Sequence, residues 1–309
     1  MPGYIKNTLH KFQHSTPTRK QHSPHQWNTP IYGQKQQLVH QTPPLPQLSK
    51  QHTTRIQATV GTFLYYARSL DHTILVASNS LGTTQSKPTK ATNISADRLL
   101  DYLATHPEPA LKYTKSGMVL YVDSDAAYLV EPGAKSGAGG YYYLVDYHNP
   151  KINGHVYYFC TLIKTIMSSA AESELGALFL NSTTLIPIRH ALKDTENPQP
   201  PTPIKTGNTT ALGIVTNTIK RKRTKAMDTR FHWVRNRMGQ NQIKVYWAPR
   251  KENEGDCFTK HHPPSHHKRK RAKLFVNLLT ILNSKPEYLR GCVNICNTLY
   301  DTMVQKSCK

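Results

Sequence analysis

Acidic residues are scarce in this 309-residue sequence, which has 18 Asp and Glu against 40 Lys and Arg, besides 16 His. The resulting formal net charge of +22 argues against a basic partner. A polyanion is favoured, because each phosphate that meets a Lys or Arg releases a condensed counterion. A basic disordered chain is the alternative explanation of charge alone. The charge balance therefore indicates nucleic acid as the class of partner.

Cysteine is also scarce, and the count of five is odd, with members at Cys160, Cys257, Cys292, Cys296 and Cys308. An odd number scattered through a long chain argues against a disulfide framework. No leader with a charged, an apolar and a small-residue part follows Met1. We therefore expect an intracellular protein, in a cytoplasmic particle or the nucleus, and not a secreted one.

Long apolar runs are missing as well. The longest lies around Leu274 to Leu282 and is broken by Asn277. It falls short of the ~20 apolar residues that a helix needs to cross a bilayer. We expect no membrane-spanning segment.

The amino-terminal third changes character near residue 56. Residues 1–55 are rich in His, Gln, Pro and Lys and keep no hydrophobic period, so an extended or disordered segment is expected. From 56 to 116, apolar residues recur at helical spacing, which predicts two or more short helices that end near Pro107. The apolar positions are Val60, Phe63, Leu64, Leu99, Leu100 and Leu103.

A period of two begins at Gly117. In MVLYVDSDAAYLV, Leu120 and Val122 alternate with Tyr121, Asp123 and Asp125, which predicts a strand with the paired acids on one face. GYYYLVDY and HVYYFCTLI predict a second and a third strand. Turn signals between the three segments predict an antiparallel meander.

Helix and strand signals then alternate. Ser169 with Glu172 forms a capping-box pattern, Pro187 is expected to start a second helical segment, and a short strand is expected to end near Thr206. Asn208 is a predicted N-cap of a helix that continues into KRKRTK. A helix from residue 228 and a strand at 242–248 follow. The order predicts an α/β protein with a mixed five-stranded sheet and flanking helices.

Three acids on separate predicted elements are candidates for phosphodiester chemistry: Asp123, Glu174 and Asp256. Hydrolysis by two metal ions requires converging carboxylates that hold divalent cations ~3.5–4 Å apart. Carboxylate oxygens are hard ligands, so Mg²⁺, or Mn²⁺, is the expected cofactor.

Several motifs resemble the ribonuclease H domain of copia-type retrotransposon polyproteins: YVDSDAAY, SSAAESELGAL and NEGDCFTKHH. Upstream, IYGQKQQLV and VGTFLYYARSLD resemble the family's connection from reverse transcriptase to ribonuclease H. The resemblance implies a helical reverse-transcriptase remnant over 56–116, a ribonuclease H-like domain over 117–262 and a basic tail over 263–309. It also implies cleavage of the RNA strand of RNA–DNA hybrids.

The resemblance assigns roles residue by residue. Asp123 matches the first metal-binding aspartate, Glu174 the glutamate and Asp256 the last aspartate, whereas Asp125 matches an acid that is not a ligand. The third aspartate of the family is replaced by Gly207, in the stretch TGNTTA. Loss of such a group typically costs ~10²–10³ in rate. We therefore expect weak or absent hydrolysis, and the alternative is a catalytically inactive nucleic-acid-binding remnant.

Reverse transcriptases of this kind also carry a Y-x-D-D hairpin, and the sequence contains no such string. Tyr121-Val122-Asp123-Ser124 only resembles it. Polymerase activity is therefore not expected of this chain, and an upstream palm domain of the same polyprotein is the expected partner.

Basic side chains are candidates for contacts with phosphates, namely Lys220, Arg221, Lys222, Arg223, Arg250 and Lys251. The run HHKRKRAK at 266–273 is a further candidate, and solvated helix ends explain both runs nearly as well. Trp247 is expected to lie in the core rather than to stack on bases. Cys257 with the nearby histidines, and Cys292 with Cys296, lack two properly spaced ligand pairs, so zinc is not expected.

Overall fold

Helices surround two β-sheets in the computed structural model, which describes residues 1, 3–27, 46–131, 135–219 and 228–277. The helices are α1 (Tyr4–Lys11), α2 (Lys50–Ser69), α3 (Leu75–Thr84), α4 (Lys90–Thr105), α5 (Ala170–Asp194), α6 (Thr209–Val215), α7 (Asp228–Gly239) and α8 (Pro264–Leu274). The strands are β1 (Pro109–Leu111), β2 (Val119–Glu131), β3 (Lys135–Val145), β4 (His155–Ile163), β5 (Thr202–Thr206), β6 (Ile243–Trp247) and β7 (Phe275–Asn277).

The larger sheet has five strands in the order β4-β3-β2-β5-β6. Strands β2, β3 and β4 form an antiparallel meander, and β2, β5 and β6 are parallel neighbours. In this register Asp123 lies opposite Tyr141 on one side and Lys205 on the other. The predicted mixed five-stranded sheet with flanking helices is confirmed. Strands β1 and β7 form a separate antiparallel pair.

One face of the large sheet packs against α5, α6 and α7. Leu120 and Val122 of β2 and Ile204 of β5 share an apolar cluster with Leu175 and Leu178 of α5. Alternate residues of a strand point to opposite faces, so the even-numbered residues of β2 near its centre belong to this side. The helix α5 is therefore the cover of this face.

The opposite face packs against the amino-terminal helices. Tyr121 of β2 and Tyr141 of β3 share a second cluster with Phe63 of α2 and Leu99 and Leu103 of α4. The helices predicted from residue 56 onward are present, although α2 and α4 are longer than the short helices expected. They share one continuous core with the sheet.

Two terminal segments differ from expectation. Helix α1 lies within residues 1–55, where an extended or disordered segment was expected, and it forms because Ile5 is fully buried in the shared core. Helix α8 lies within residues 263–309, the expected basic tail, and Leu274 and Phe275 at its end are buried. Residues 28–45 of the first segment and 278–309 of the second lie outside the described part of the chain.

Helix caps follow the sequence more closely than helix ends do. Oγ of Ser169 accepts the backbone N–H of Glu172 at 3.1 Å, as predicted, while the carboxylate of Glu172 accepts the N–H of Ser168 at 2.7 Å. The expected helix start at Pro187 is wrong, because α5 runs through this exposed proline without a break. Leu185, shortly before it, is buried in the apolar cluster between α5 and the sheet.

Beyond β5, one prediction agrees with the structure and two differ from it. Oδ1 of Asn208 accepts the N–H of Ala211 at 2.9 Å, which confirms the cap of α6. The helix ends at Val215 rather than continuing into KRKRTK, because Asn217 adopts a positive φ of 64°. Trp247 was expected in the core, but it ends the edge strand β6 and is 46% exposed.

None of the helices in the described residues is long and apolar enough to cross a membrane. Cys160 and Cys257, the two cysteines in that part of the chain, form no disulfide bond with each other.

Candidate functional site

Asp123 lies at the centre of β2, on the sheet face that the amino-terminal helices cover, and it is fully buried. Its Oδ2 accepts hydrogen bonds from Nζ of Lys205 at 3.0 Å and from the backbone N–H of Glu254 at 2.9 Å. Its Oδ1 accepts from the hydroxyl of Tyr143 at 3.2 Å. Burial raises the pKa of Asp123 above its ordinary value, although Lys205 and the backbone hydrogen bond oppose the increase.

The segment that carries Asp256 packs directly on β2. Residues Glu254–Phe258 form a 3-10 helix, and Oδ1 of Asn253 accepts the N–H of Gly255 at its start. A Cβ on Gly255 would lie 2.9 Å from the backbone oxygen of Asp123, which explains why glycine is needed at this close approach. The predicted strand and the predicted closing motif therefore do meet in space.

Asp256 is linked to Asp125 rather than to Asp123 by the contacts of this segment. Nζ of Lys260 donates to Oδ2 of Asp125 at 3.1 Å and makes a close ion pair with Oδ1 of Asp256. Nε2 of His262 lies 3.3 Å from Oδ2 of Asp256. Burial alone would lower the pKa of Lys260, but the charges of Asp125 and Asp256 raise it above the ordinary value. Lys260 is thus an ammonium held between two carboxylates.

Only one of the two carboxylate oxygens of Asp125 accepts hydrogen bonds from the described residues. The hydroxyl of Thr259 donates to Oδ2, and no hydrogen-bond donor from the described residues reaches the buried Oδ1. Burial raises the pKa of Asp125, while Lys260 acts in the opposite direction. The acid that the resemblance treats as a non-ligand is therefore part of the ion-pair network.

Glu174 lies on the other side of the sheet. It is buried in the first turns of α5, and its Oε2 accepts the hydroxyl of Thr206 at 3.3 Å. Thr206 and Ile204 share the α5 face of β5, whereas the intervening Lys205 reaches Asp123 on the opposite face. The sheet separates the carboxylate of Glu174 from that of Asp123.

The structure therefore does not bring Asp123, Glu174 and Asp256 into one cluster. Within residues 1–27, 46–131, 135–219 and 228–277, apart from Pro2, no group of three or more His, Cys, Asp or Glu side chains could hold a metal ion. Strand alternation separates Glu174 from Asp123, and Gly207, beside Thr206, adds no carboxylate. This arrangement does not fit a pair of Mg²⁺ ions, whose binding to these residues stays a prediction.

Two lysines that the sequence analysis did not single out complete the site. Lys205 also donates from Nζ to the backbone oxygen of Glu252 at 2.9 Å, which joins β5 to the segment before Asp256. The alternation in TPIKT places Lys205 and Ile204 on opposite faces of β5. Only the pairing of β5 with β2 sets Lys205 beside Asp123. Lys260 is the last residue of the motif FTK, so the sequence marks this lysine, but it does not indicate which residues the lysine contacts.

The basic run at 266–273 is partly internal. Lys270 forms a buried ion pair with Oε2 of Glu254, and Nζ of Lys273 lies 3.3 Å from Oε1 of the same carboxylate. Arg271 is buried as well and pairs with Asp71. Two other basic residues of the run are exposed to solvent, namely Lys268 and Arg269. Three of the five Lys and Arg side chains of this run therefore form ion pairs within the fold.

The remaining candidate contacts with phosphates are only partly described. Lys251 is exposed in the turn of 3-10 helix Arg250–Glu252. Of Arg250 only the backbone lies within the described structure, and Lys220, Arg221, Lys222 and Arg223 fall outside it. Their role in binding nucleic acid stays a prediction.

The chain matches no protein-family model, and no curated protein matches its sequence. Among solved structures, it is similar to the N-terminal RNase H domain of rv2228c from Mycobacterium tuberculosis, with a TM-score of 0.34 and 11% identity, over 50% of this chain and 96% of that chain.

A second similar structure is LC11-RNase H1, isolated from compost by a metagenomic approach, in complex with RNA/DNA hybrid. Its TM-score is 0.33 at 12% identity, over 46% of this chain and 93% of that chain. A third is the prototype foamy virus protease-reverse transcriptase, with a TM-score of 0.32 and 13% identity. That match covers 73% of this chain and 27% of the viral chain.

Proposed function

We propose that this chain is a nucleic-acid-binding module of a retroelement polyprotein, with a ribonuclease H-like fold that binds RNA–DNA hybrids without hydrolysing them. The main support for this proposal is that Asp123 and Glu174 lie on opposite faces of the sheet, with Asp123 paired to Lys205. Gly207 supplies no carboxylate to bridge them. Without converging carboxylates, two divalent cations have no common site.

Binding is supported by charge and by the kind of recognition that hybrids allow. A net charge of +22 favours contact with phosphates through counterion release. Hybrid helices are recognised mainly by shape and by contacts with phosphates and 2′-hydroxyl groups, so little dependence on base sequence is expected. The inferred partners are RNA–DNA hybrid and, through the motifs that resemble copia-type polyproteins, an upstream reverse-transcriptase palm. We also propose that the protein is intracellular.

Hydrolysis is the second candidate function, and one contact favours it. The backbone N–H of Glu254 donates to Asp123, so the segment that carries Asp256 lies against β2 as the resemblance implies. In this alternative, Asp123 and Asp256 would need to exchange Lys205 and Lys260 for Mg²⁺ or Mn²⁺ when hybrid binds.

One experiment separates the two functions. A labelled hybrid is titrated with the whole chain at several salt concentrations, and the same mixtures are given Mg²⁺ or Mn²⁺ and resolved for nicked RNA. The proposal expects a steep loss of affinity with salt and no cleavage by the wild type or by Gly207→Asp.

Two variants control the cleavage measurement. If RNA is cut by the wild type and Asp123→Asn abolishes the cutting while Asp194→Asn, at the exposed end of α5, does not, hydrolysis is the function. If the hybrid is neither bound nor cut, the proposed function fails entirely.

A further inference from the structure

A groove runs along β4, the edge strand of the large sheet, between the end of α2 and the middle of α5. Its volume is about 600 Å³, and its walls include Arg68 of α2, Thr184 of α5 and the strand residues Tyr157 and Thr161. Small-molecule and nucleotide sites commonly have volumes of ~300–1,000 Å³. The groove is large enough for a short polymer segment.

Two tyrosine rings in the groove wall face solvent. Tyr157 is 43% exposed and Tyr113 is 61% exposed. The ring of Tyr157 meets Tyr142 edge-on, with centroids 5.3 Å apart at 72°, so its orientation is held by a buried neighbour. Aromatic rings that are fixed and exposed are platforms on which unpaired bases stack.

The charge of the groove suits a polyanion. Arg68 is exposed, and no Asp or Glu belongs to the residues that line the groove. None of the carboxylates in the described chain forms an ion pair with Arg68. Burial lowers the pKa of His155 to about 4, so this second basic wall residue is neutral at pH 7. Arg68 is therefore an available cation in the wall of a groove that also contains two exposed aromatic rings.

A peptide strand is a poor fit for the same edge. The backbone oxygen of His155 accepts the hydroxyl of Tyr113 at 2.9 Å, and that of Cys160 accepts Nδ2 of Asn79 at 3.1 Å. Addition of a strand needs a row of unpaired backbone groups along the edge. Side chains of this protein already occupy two of these acceptors.

We propose that this groove binds a segment of single-stranded RNA, with a base stacked on Tyr157 and a phosphate at Arg68. The hydroxyl of Thr161, on the exposed part of β4, is placed to meet a 2′-hydroxyl, which favours RNA over DNA. The inference rests on the proposed function in one respect, namely that the chain binds nucleic acid. It assigns unpaired RNA to the edge strand β4, which β3 separates from the strand that carries Asp123.

The first test reverses one charge. Fluorescently labelled oligouridine is titrated with the whole chain, and Arg68→Glu is compared with Lys50→Glu. Both residues are exposed on α2, and 18 positions of helix separate them by ~27 Å. Arg68→Glu is expected to weaken oligouridine binding about fivefold or more, whereas Lys50→Glu produces a much smaller loss. Equal losses for the two variants would overturn the proposal.

The second test removes the stacking platform. Tyr157→Ala is expected to weaken oligouridine binding by about fivefold to a hundredfold, while Tyr157→Phe retains the affinity because the ring remains. Trp247→Ala is the control at the opposite edge of the sheet, where an aromatic side chain is equally exposed. Wild-type affinity in Tyr157→Ala, or a comparable loss in Trp247→Ala, contradicts the assignment. If Tyr157→Ala does not fold, the Arg68 comparison decides alone.

Parallel titrations distinguish this inference from the proposed function. RNA–DNA hybrid affinity is expected to change no more in Arg68→Glu than in Lys50→Glu. Failure of the wild type to bind hybrid, with oligouridine binding that depends on Arg68, would remove the proposed function and leave the groove assignment standing. Stronger binding of oligothymidine than of oligouridine would overturn the choice of RNA, and capture of an extended peptide at this edge in place of oligouridine would overturn the groove assignment.

Discussion

Nη1 of Arg271 lies 2.6 Å from Oδ2 of Asp71, although 200 positions separate the two residues in the sequence. The same nitrogen donates to the hydroxyls of Thr73 at 3.1 Å and Tyr102 at 3.2 Å. Burial alone would raise the pKa of Asp71, but Arg271 and the hydrogen bonds leave it below its ordinary value. This buried pair connects α8 to the amino-terminal helices.

Removal of one partner of this pair is expected to destabilise the fold strongly. Arg271→Met leaves the carboxylate of Asp71 buried without its counter-ion, which costs ~3–5 kcal/mol of unfolding free energy. Asp71→Asn combined with Arg271→Met should lose less, because no uncompensated charge remains. Urea denaturation measures both, with the exposed Lys268→Met on the same helix as control. Equal stability of Arg271→Met and Lys268→Met would contradict the role of the pair.

Acidification is expected to unfold the protein through its buried histidines. Burial lowers the pKa of His25 to about 2 and that of His266 and His267 to about 3. Below the ordinary value of ~6.5 the unfolded chain binds protons that the folded chain excludes, so stability falls with falling pH. Each such histidine therefore makes the loss of stability steeper between pH ~6.5 and its folded pKa.

The amino-terminal segment contributes to this pH dependence through His25. Its ring stacks on His261 with centroids 3.9 Å apart, and its Nε2 accepts the N–H of His262 at 3.4 Å. His25→Gln should therefore flatten the plot of unfolding free energy against pH below 6.5, and the exposed His190→Gln should leave the slope unchanged. Identical slopes for the two variants would show that His25 titrates normally.

Removal of Lys260 is expected to create an affinity for divalent cations. In Lys260→Met, Asp125 and Asp256 lose the ammonium between them, and a pair of carboxylates is the usual protein contribution to a Mg²⁺ site, in which the ion keeps several waters. Mn²⁺ or Mg²⁺ should therefore raise the melting temperature of Lys260→Met more than that of the wild type. The exposed Lys268→Met is the control. An equal response to metal in all three proteins would exclude Lys260 as an internal substitute for a cation.

The contact between β3 and α5 predicts a steric effect at Gly140. A Cβ at this position would clash with Oδ1 of Asn181, the atom that accepts the hydroxyl of Tyr142 at 2.8 Å. Gly140→Ala is expected to cost ~1–3 kcal/mol, since the buried asparagine must move. Gly137→Ala, on the same strand with open space around its Cβ, should have little effect on the thermal transition.

Local patterns of the sequence determined much of the fold. The alternation in β2 correctly placed Asp123 and Asp125 on one face, and Ser169 and Asn208 were correctly predicted as helix caps. Both kinds of prediction depend on the residues within a few positions along the chain. Periodicity and capping are local properties, so no knowledge of distant contacts is needed.

The tertiary structure alone decided which acids meet. Glu174 lies on the α5 face because of how the whole helix packs, and Lys205 reaches Asp123 because β5 pairs with β2 in one register. Arg271 reads as part of a basic tail in the sequence, yet it is a buried partner of Asp71. Sheet register and helix packing are set by contacts across the whole chain, which no local pattern encodes.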